Sequence, residues 1–485
     1  DITMNAANDP TQQARQAMQT VLDAQKKAFI AEGAVSVEVR IERLERCIKQ
    51  VLKYQDKLVA ALSQDFGARS THHSKMFDIA AAVGPLQHAK KHVKKWMKAE
   101  KRNTMFPLNL LGARSRIEYN PLGVIGIISP WNFPVNLTFG PLANALAAGN
   151  RAMIKPSEFS PATSEVMKEL IEEEFDSSEI AVFTGGPEVG QAFSSLAFDH
   201  LIFTGATSIA RHVMAAAAQN LVPLTLELGG KSPVMIGRTA DLKQAADRVM
   251  FGKTSNAGQI CLAPDYVLVP EEKLEELVEN LTASTNMMFS NLLDNPDYTS
   301  IINDRHFDRL QSYIKDAEEK GGKVIQLNPA NESFEGQAHH KIPPTLIVNA
   351  TDDMKVLQEE IFGPLLPIKT YKNYDEAIAY VNAQERPLAL YYFGEDASEE
   401  RHTLDHTISG GVTLNDVIMH VAQEDLPFGG VGPSGMGSYH GFDGFKTFSH
   451  ARAIFKQTKK DVAGMIGFRP PFGEKTEKTI KGMIK

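Results

Sequence analysis

Apolar positions along the chain fall into two rhythms. From about residue 11 to 100 they recur at helical spacing. In IERLERCIKQVLKYQDKLVAALSQDFG (41–67), Leu44, Ile48, Val51, Leu52, Val59 and Leu62 form one helical stripe, and Gly67 is a C-terminal stop. Cys47 lies on or beside that stripe and reads as a half-buried helical thiol. From residue 117 the rhythm changes to short apolar runs ending in Pro, Ser, Thr or Gly: GVIGIIS (123–129), RAMIKPS (151–157), IAVFTGG (180–186) and HLIFTGA (200–206). Helical stretches separate them, as in ATSEVMKELIEEEF, where Met167, Leu170, Ile171 and Phe175 share a face. Strand–turn–helix units in series predict a parallel, doubly wound sheet. A second alternating region, from about 230 to 425, offers YVLVP, TLIVNA, LPIKTY and GVTLN as strands. The expected fold class is α/β, with two doubly wound α/β domains. RSRIEYN (114–120) reads as an extra hairpin strand, and the C-terminal residues as a segment partly packed on another element.

Length agrees with that division, since 485 residues exceed one ordinary core. A net charge of −8 argues against general nucleic-acid binding. Two cysteines exclude a disulfide framework and a Cys-rich zinc site, and they fit a reducing compartment. The opening DITMNAANDP is polar and acidic, unlike a signal peptide, and no apolar run is long enough to span a bilayer. TEKTIKGMIK, at the other end, is no apolar anchor. The expectation is a soluble, cytoplasmic protein with neither nucleic-acid nor membrane partner.

Candidate chemistry gathers where strands end, because helix N-termini there present free N–H groups to ligands. SPWNFP (129–134), KPSE (155–158) and FTGATS (203–208) follow three successive strands, although no G-x-G-x-x-G is present. One such turn is weak evidence of a phosphate site; three in succession raise the odds. In LELGGKSP (226–233), Glu227 precedes two glycines and is equally a structural acceptor or a catalytic base. Cys261, in SNAGQICLAP (255–264), stands among small and polar residues. A thiol is mostly protonated at neutral pH, so a nucleophilic cysteine needs local donors or a base. Asn132 alone reads as a turn residue before Pro134.

The order PWNFP, KPSE, FTG, ELGGKSP, GQIC, EEIFGP (359–364) and PFGG (427–430) resembles the motif series of the aldehyde dehydrogenase superfamily, over about residues 20–455. NDVIMH (415–420) and SYHGFDGFKTFSH (438–450) look like its shorter class-3 branch; ISPWNFPVNL, APDYVLVP and FDHLIFTGAT look most like coniferyl aldehyde dehydrogenases. The resemblance implies a Rossmann-like cofactor domain (1–104 and 122–229), a catalytic domain (230–425), and an oligomerisation hairpin with a C-terminal segment (105–121 and 426–485). It implies NAD(P)-dependent oxidation of an aldehyde to the acid. Cys261 would be the nucleophile, Asn132 an oxyanion donor and Glu227 the base that activates water.

The family's cofactor residues fall on Trp131, Lys155, Ser157, Glu158, Gly205, Thr207, Ser208, Leu228, Gly229, Glu360 and Phe362. A carboxylate at Glu158 would favour NAD over NADP, with NADP still open. Ala210 stands where the family often has glycine. Phe133 and His420 are candidates for the substrate funnel. The implied substrate is coniferyl aldehyde or a related aromatic aldehyde, with medium- or long-chain aliphatic aldehydes as the alternative. The implied assembly is a homodimer. CoA-acylating relatives generally lack the base at Glu227, which disfavours that variant, and a non-catalytic use of the fold has no need of Cys261, Asn132 and Glu227 together.

Other features keep plain readings. KKHVKKWMKAEKR (90–102) carries Val93, Trp96 and Met97 on an apolar side and reads as a solvated helix. His402 and His406 lack a third ligand at metal spacing, so no metal site is expected. His72–His73 and His339–His340 read as surface pairs.

Overall fold

The computed structural model describes residues 9–485; most of the polar opening falls in the first eight residues, outside the described residues. The helical rhythm resolves into Pro10–Glu32, Val37–Lys53, Gln55–Phe66 and Ala80–Trp96. Ser36 caps the second, its hydroxyl accepting from the Val39 N–H at 3.2 Å. The stripe read as one helix is broken at Tyr54 (φ −96°, ψ 8°), and Gly67 (φ 88°) ends the third helix with its N–H on the Ser63 carbonyl at 2.9 Å. Leu44, Val51, Val59 and Leu62 are buried, whereas Leu52, just before the break, is 45% exposed. Cys47 is not half-buried but wholly enclosed, because the helix meets the core along that face.

Two sheets carry the fold. The first has the order β15-β7-β6-β3-β4-β5, from β3 (Val124–Ile128), β4 (Arg151–Lys155), β5 (Ile180–Val182), β6 (His200–Thr204), β7 (Leu224–Glu227) and β15 (Gly435–Met436). All its pairings are parallel except the short β15, which runs antiparallel to β7. The strand order reverses around β3, so a crevice opens past the carboxyl ends of β3 and β6. Val124, Ile125 and Ile127 of β3 are enclosed on both faces, each worth about 1.5–3 kcal/mol of burial.

The second sheet has the order β10-β11-β12-β9-β8-β13-β14. Its strands are β8 (Pro233–Ile236), β9 (Tyr266–Pro270), β10 (Lys323–Gln326), β11 (Thr345–Val348), β12 (Leu365–Tyr371), β13 (Ala389–Phe393) and β14 (Gly411–Leu414). Only β10 is antiparallel. The RSRIEYN strand is the centre of a third, antiparallel sheet, in which β2 (Arg114–Pro121) lies between β1 (Glu100–Arg102) and β16 (Ser449–Lys456). No described helix is long and apolar enough to cross a membrane.

Candidate active site

Cys261 stands in the loop between helix Leu242–Thr254 and β9 of the second sheet. The chain reaches it through a strained turn: Asn256, Ala257 and Gly258 follow one another with φ of 53°, 52° and 73°. Left-handed conformations cost a residue with a Cβ about 1–2 kcal/mol. Gln259 holds the turn shut. Its side-chain amide donates to the Asn256 carbonyl (2.9 Å) and the Ser300 carbonyl (3.1 Å) and accepts from the Ile302 N–H (3.0 Å). At Gly258 a Cβ would collide with the Gly363 carbonyl, so only glycine lets the two loops meet.

Cys261 is half-buried, and burial pushes its thiol pKa up; the nearby Glu360 and Glu227 carboxylates add to the rise. The Asn132 side-chain amide and the cysteine's own backbone N–H pull the other way. Asn132 is 1% exposed, donates to the Gln259 carbonyl at 3.3 Å, and keeps its side-chain oxygen without a partner. Glu227 ends β7, with both carboxylate oxygens enclosed and unpartnered; burial raises its pKa well above the usual range. A carboxyl in that setting is poised to take up a proton.

Most other positions named from the sequence follow the carboxyl ends of the first sheet's strands, whereas Glu360 and Phe362 precede β12 of the second. Lys155, at the end of β4, is nearly enclosed; its ammonium donates to the Pro156 carbonyl at 2.7 Å and lies 3.6 Å from Glu158. Ser157 accepts from the Phe159 N–H at 3.1 Å. Gly205 donates to the Glu227 carbonyl at 3.0 Å, and its missing Cβ leaves room for the Phe203 ring. Thr207 and exposed Ser208 open helix Thr207–Ala218, whose N-terminus has no side-chain cap. Ala210 is buried in that helix without distorting it, the Ala210 N–H bonding the Ala206 carbonyl at 3.0 Å.

Leu228 donates to the Ser434 carbonyl at 3.1 Å, and Gly229 lies directly under the Glu360 carboxylate, where a Cβ would clash. Burial lifts Glu360 to about 8. Phe362 sits at φ 50° and meets Trp131 edge-on at 5.5 Å. An uncapped helix N-terminus, close glycines and carboxylates fit a dinucleotide, whose pyrophosphate takes N–H groups and whose ribose hydroxyls take carboxylates.

Phe133 and His420 fall on different walls. Phe133, beside Asn132, stands 6.0 Å from the His73 ring, with the Arg69 guanidinium 5.0 Å from its centroid. His420 bonds the Thr413 hydroxyl at 2.7 Å through Nδ1, and its Nε2 is enclosed without a partner.

Sequence reasoning missed several neighbours. His73 is no surface residue: it packs on Phe77 at 4.8 Å, and burial drops its pKa to about 3. Phe77 belongs to the π turn at Lys75–Ile79 that follows, which no sequence period announces. Lys231 and Asp265 pair and clamp the EEIFGP loop, Lys231 donating to the Val356 (2.6 Å) and Glu359 (2.9 Å) carbonyls and Asp265 accepting from the Ile361 N–H (3.0 Å). Tyr439 is enclosed near Glu227 and Cys261, whose charges raise its pKa after burial. Tyrosine in SYHG was legible only as part of a motif. His402 is occupied by Asp375 at 2.9 Å.

A doubly wound sheet with an open crevice beside a cysteine and an unpartnered carboxyl defines a class, the cysteine-bearing nicotinamide oxidoreductases. The sequence profile of the aldehyde dehydrogenase family matches residues 3–454, and the chain belongs to that family. It is similar to a probable coniferyl aldehyde dehydrogenase of Caulobacter vibrioides, 58% identical over 99% of this chain and 100% of that protein. The structure of the substrate-bound state of Staphylococcus aureus AldH superposes with a TM-score of 0.90 at 38% identity, over 96% of this chain and 99% of that one. PnpE in complex with nicotinamide adenine dinucleotide matches with a TM-score of 0.81 at 25% identity, covering 91% and 90%. The protein is thus an oxidoreductase that oxidises small-molecule aldehydes with a nicotinamide cofactor.

Proposed function

We propose that the preferred substrate is a hydroxycinnamaldehyde-type aldehyde such as coniferyl aldehyde, oxidised to its acid with NAD. The observation that carries the substrate class is the set of rings gathered around Phe133, the residue after Asn132. His73, Phe77 and Phe133 meet at 4.8 and 6.0 Å, and Phe251 closes the set 6.3 Å from Phe77. A planar aromatic substrate stacks on such walls, whereas a flexible alkyl chain has no use for their orientation. The likeness to the Caulobacter protein supports the same class. The test compares kcat/KM for coniferyl aldehyde, benzaldehyde, octanal and decanal with either cofactor. Preference for coniferyl aldehyde with NAD is expected; preference for octanal or decanal would move the protein to lipid-derived aldehydes.

In this reading the Cys261 thiolate attacks the aldehyde carbon and gives a thiohemiacetal. The Asn132 amide and the Cys261 N–H receive the oxyanion, a single such donor being worth about 3–4 kcal/mol of barrier. A nicotinamide held beside Glu360 and Phe362 would supply the hydride acceptor that lets the thiohemiacetal on Cys261 become a thioester. Glu227 then deprotonates the water that cleaves the thioester. Lys155 and Glu158 hold the adenosine ribose, where the carboxylate repels a 2′-phosphate and favours NAD over NADP. Ser157, Gly205, Thr207 and Ser208 hold the rest of the adenosine and pyrophosphate end. Trp131, Leu228, Gly229, Glu360 and Phe362 shape the nicotinamide end, and Phe133 and His420 line the funnel. The domain division at 104, 122, 229 and 425, a cytoplasmic location and a homodimer complete the proposal.

A further inference from the structure

The backbone around Glu360 is fastened on both sides by one charged pair that the reaction itself leaves unused. Lys231 follows the ELGG turn between β7 and β8, and Asp265 stands immediately before β9. Both side chains are nearly enclosed, at 11% and 4% exposure. The Lys231 ammonium pairs with one Asp265 oxygen and donates to the Val356 and Glu359 carbonyls at 2.6 and 2.9 Å. An ammonium has three N–H donors, so all three are used. The other Asp265 oxygen accepts from the Ile361 N–H at 3.0 Å, and the Asp265 N–H donates to the Ser232 carbonyl at 2.9 Å. The carbonyl before Glu360 and the N–H after it are therefore both held, by side chains from two other loops. The Glu360 carboxylate itself rests over Gly229, where a Cβ would collide with it. Beyond Phe362, the Gly363 carbonyl packs on Gly258, which has no room for a Cβ either.

We propose that Lys231 and Asp265 are positioning residues for the cofactor, holding the Glu360 backbone so that its carboxylate meets NAD already oriented. This rests on the reading of Glu360 as a cofactor residue and adds the device that presents it. A loop ordered before the ligand arrives spares binding the cost of ordering it. The effect is geometric more than electrostatic. Burial does most to raise the Glu360 carboxyl, and the two charges then oppose each other, Asp265 adding to the rise and Lys231 reducing it. Methionine at 231 keeps the side-chain length but leaves Asp265 and two carbonyls without their donor. Arginine keeps the charge, yet its planar fork cannot meet three acceptors gathered around one nitrogen.

The test measures the dissociation constant of NAD without aldehyde, by quenching of tryptophan fluorescence, and KM for the aldehyde at saturating NAD. The proteins compared are the wild type, Lys231→Met, Lys231→Arg and Glu360→Ala. Lys231→Met should weaken NAD by at least about tenfold and Lys231→Arg by at least about threefold, with the aldehyde KM of both near the wild-type value. If Lys231→Arg binds NAD as the wild type does, charge alone suffices and the positioning role falls. It falls too if Lys231→Met binds NAD as the wild type does, or weakens NAD and aldehyde alike, as general damage to the fold would. Glu360→Ala tests the reading beneath. Should that variant bind NAD as tightly as the wild type, Glu360 is no cofactor residue and the inference goes with it. Should it alone weaken NAD, only the Lys231–Asp265 assignment falls. Thermal midpoints check folding, and Lys231→Arg carries the test if the methionine variant fails to fold.

Discussion

At Cys261 and Glu227 the same physical cause acts in the same direction. Burial disfavours the thiolate and the carboxylate alike, and the negative charges of Glu360 and Glu227 add to the effect on the sulfur. Both reactive forms are the deprotonated ones, so both populations grow as pH rises. We therefore expect kcat/KM for the aldehyde to climb from neutral into alkaline pH; a profile with its maximum on the acid side would contradict the burial argument. The two residues separate by substitution. Cys261→Ala should leave no measurable NADH formation while NAD binding, followed by quenching of tryptophan fluorescence, stays within a few-fold. Glu227→Gln should give one rapid turnover of NADH and then slow release, because acylation needs the thiolate and only thioester hydrolysis needs the base. Unimpaired steady-state turnover in that variant would remove Glu227 from the role.

At the scale of elements, the sequence marked strands by their apolar runs and helices by their stripes, and β3, β4, β5, β6 and β9 fall where those runs stand. What it could not mark is instructive. The short β15 is two residues in a glycine-rich loop and exists only because β7 offers an edge. The π turn at Lys75–Ile79 and the left-handed run at Asn256–Gly258 are set by tertiary contacts; the first carries Phe77 and the second leads to Cys261. The π turn is held by a pair that no periodicity reveals. Arg69 and Asp78, both side chains fully enclosed, meet at 3.2 Å, and the other Asp78 oxygen accepts from the Asn136 N–H at 2.7 Å. Removing one charge of an enclosed pair leaves the other uncompensated. Asp78→Ala should therefore cost about 3–5 kcal/mol, read from the denaturant midpoint at constant m. It should also raise KM for aromatic aldehydes, since Phe77 and Phe133 flank the pair; a change below about 1 kcal/mol would show that the Arg69 charge is solvated in solution.

For the whole molecule, the third sheet poses a question that one chain does not answer. Its order, β1-β2-β16, leaves β16 with only one paired edge, along eight residues that are mostly exposed. A long free edge invites another strand, and natural proteins blunt or cover it. Around it stand apolar side chains that no contact in the chain covers: Met105, Phe106 and Leu110 between β1 and β2 are each at least 70% exposed, and Phe455 on β16 is 49% exposed. Apolar surface gathered beside an open edge is the kind of surface that another chain can cover. A second copy presenting the same elements about a two-fold axis satisfies both edge and surface at once. We expect a solution mass about twice 53.3 kDa. Phe106→Asp with Phe455→Asp should shift that mass toward the monomer, by placing charge where apolar surface is to be buried. Light scattering at several protein concentrations decides it: a monomeric wild type would refute the dimer, and a dimer indifferent to both substitutions would place the contact elsewhere.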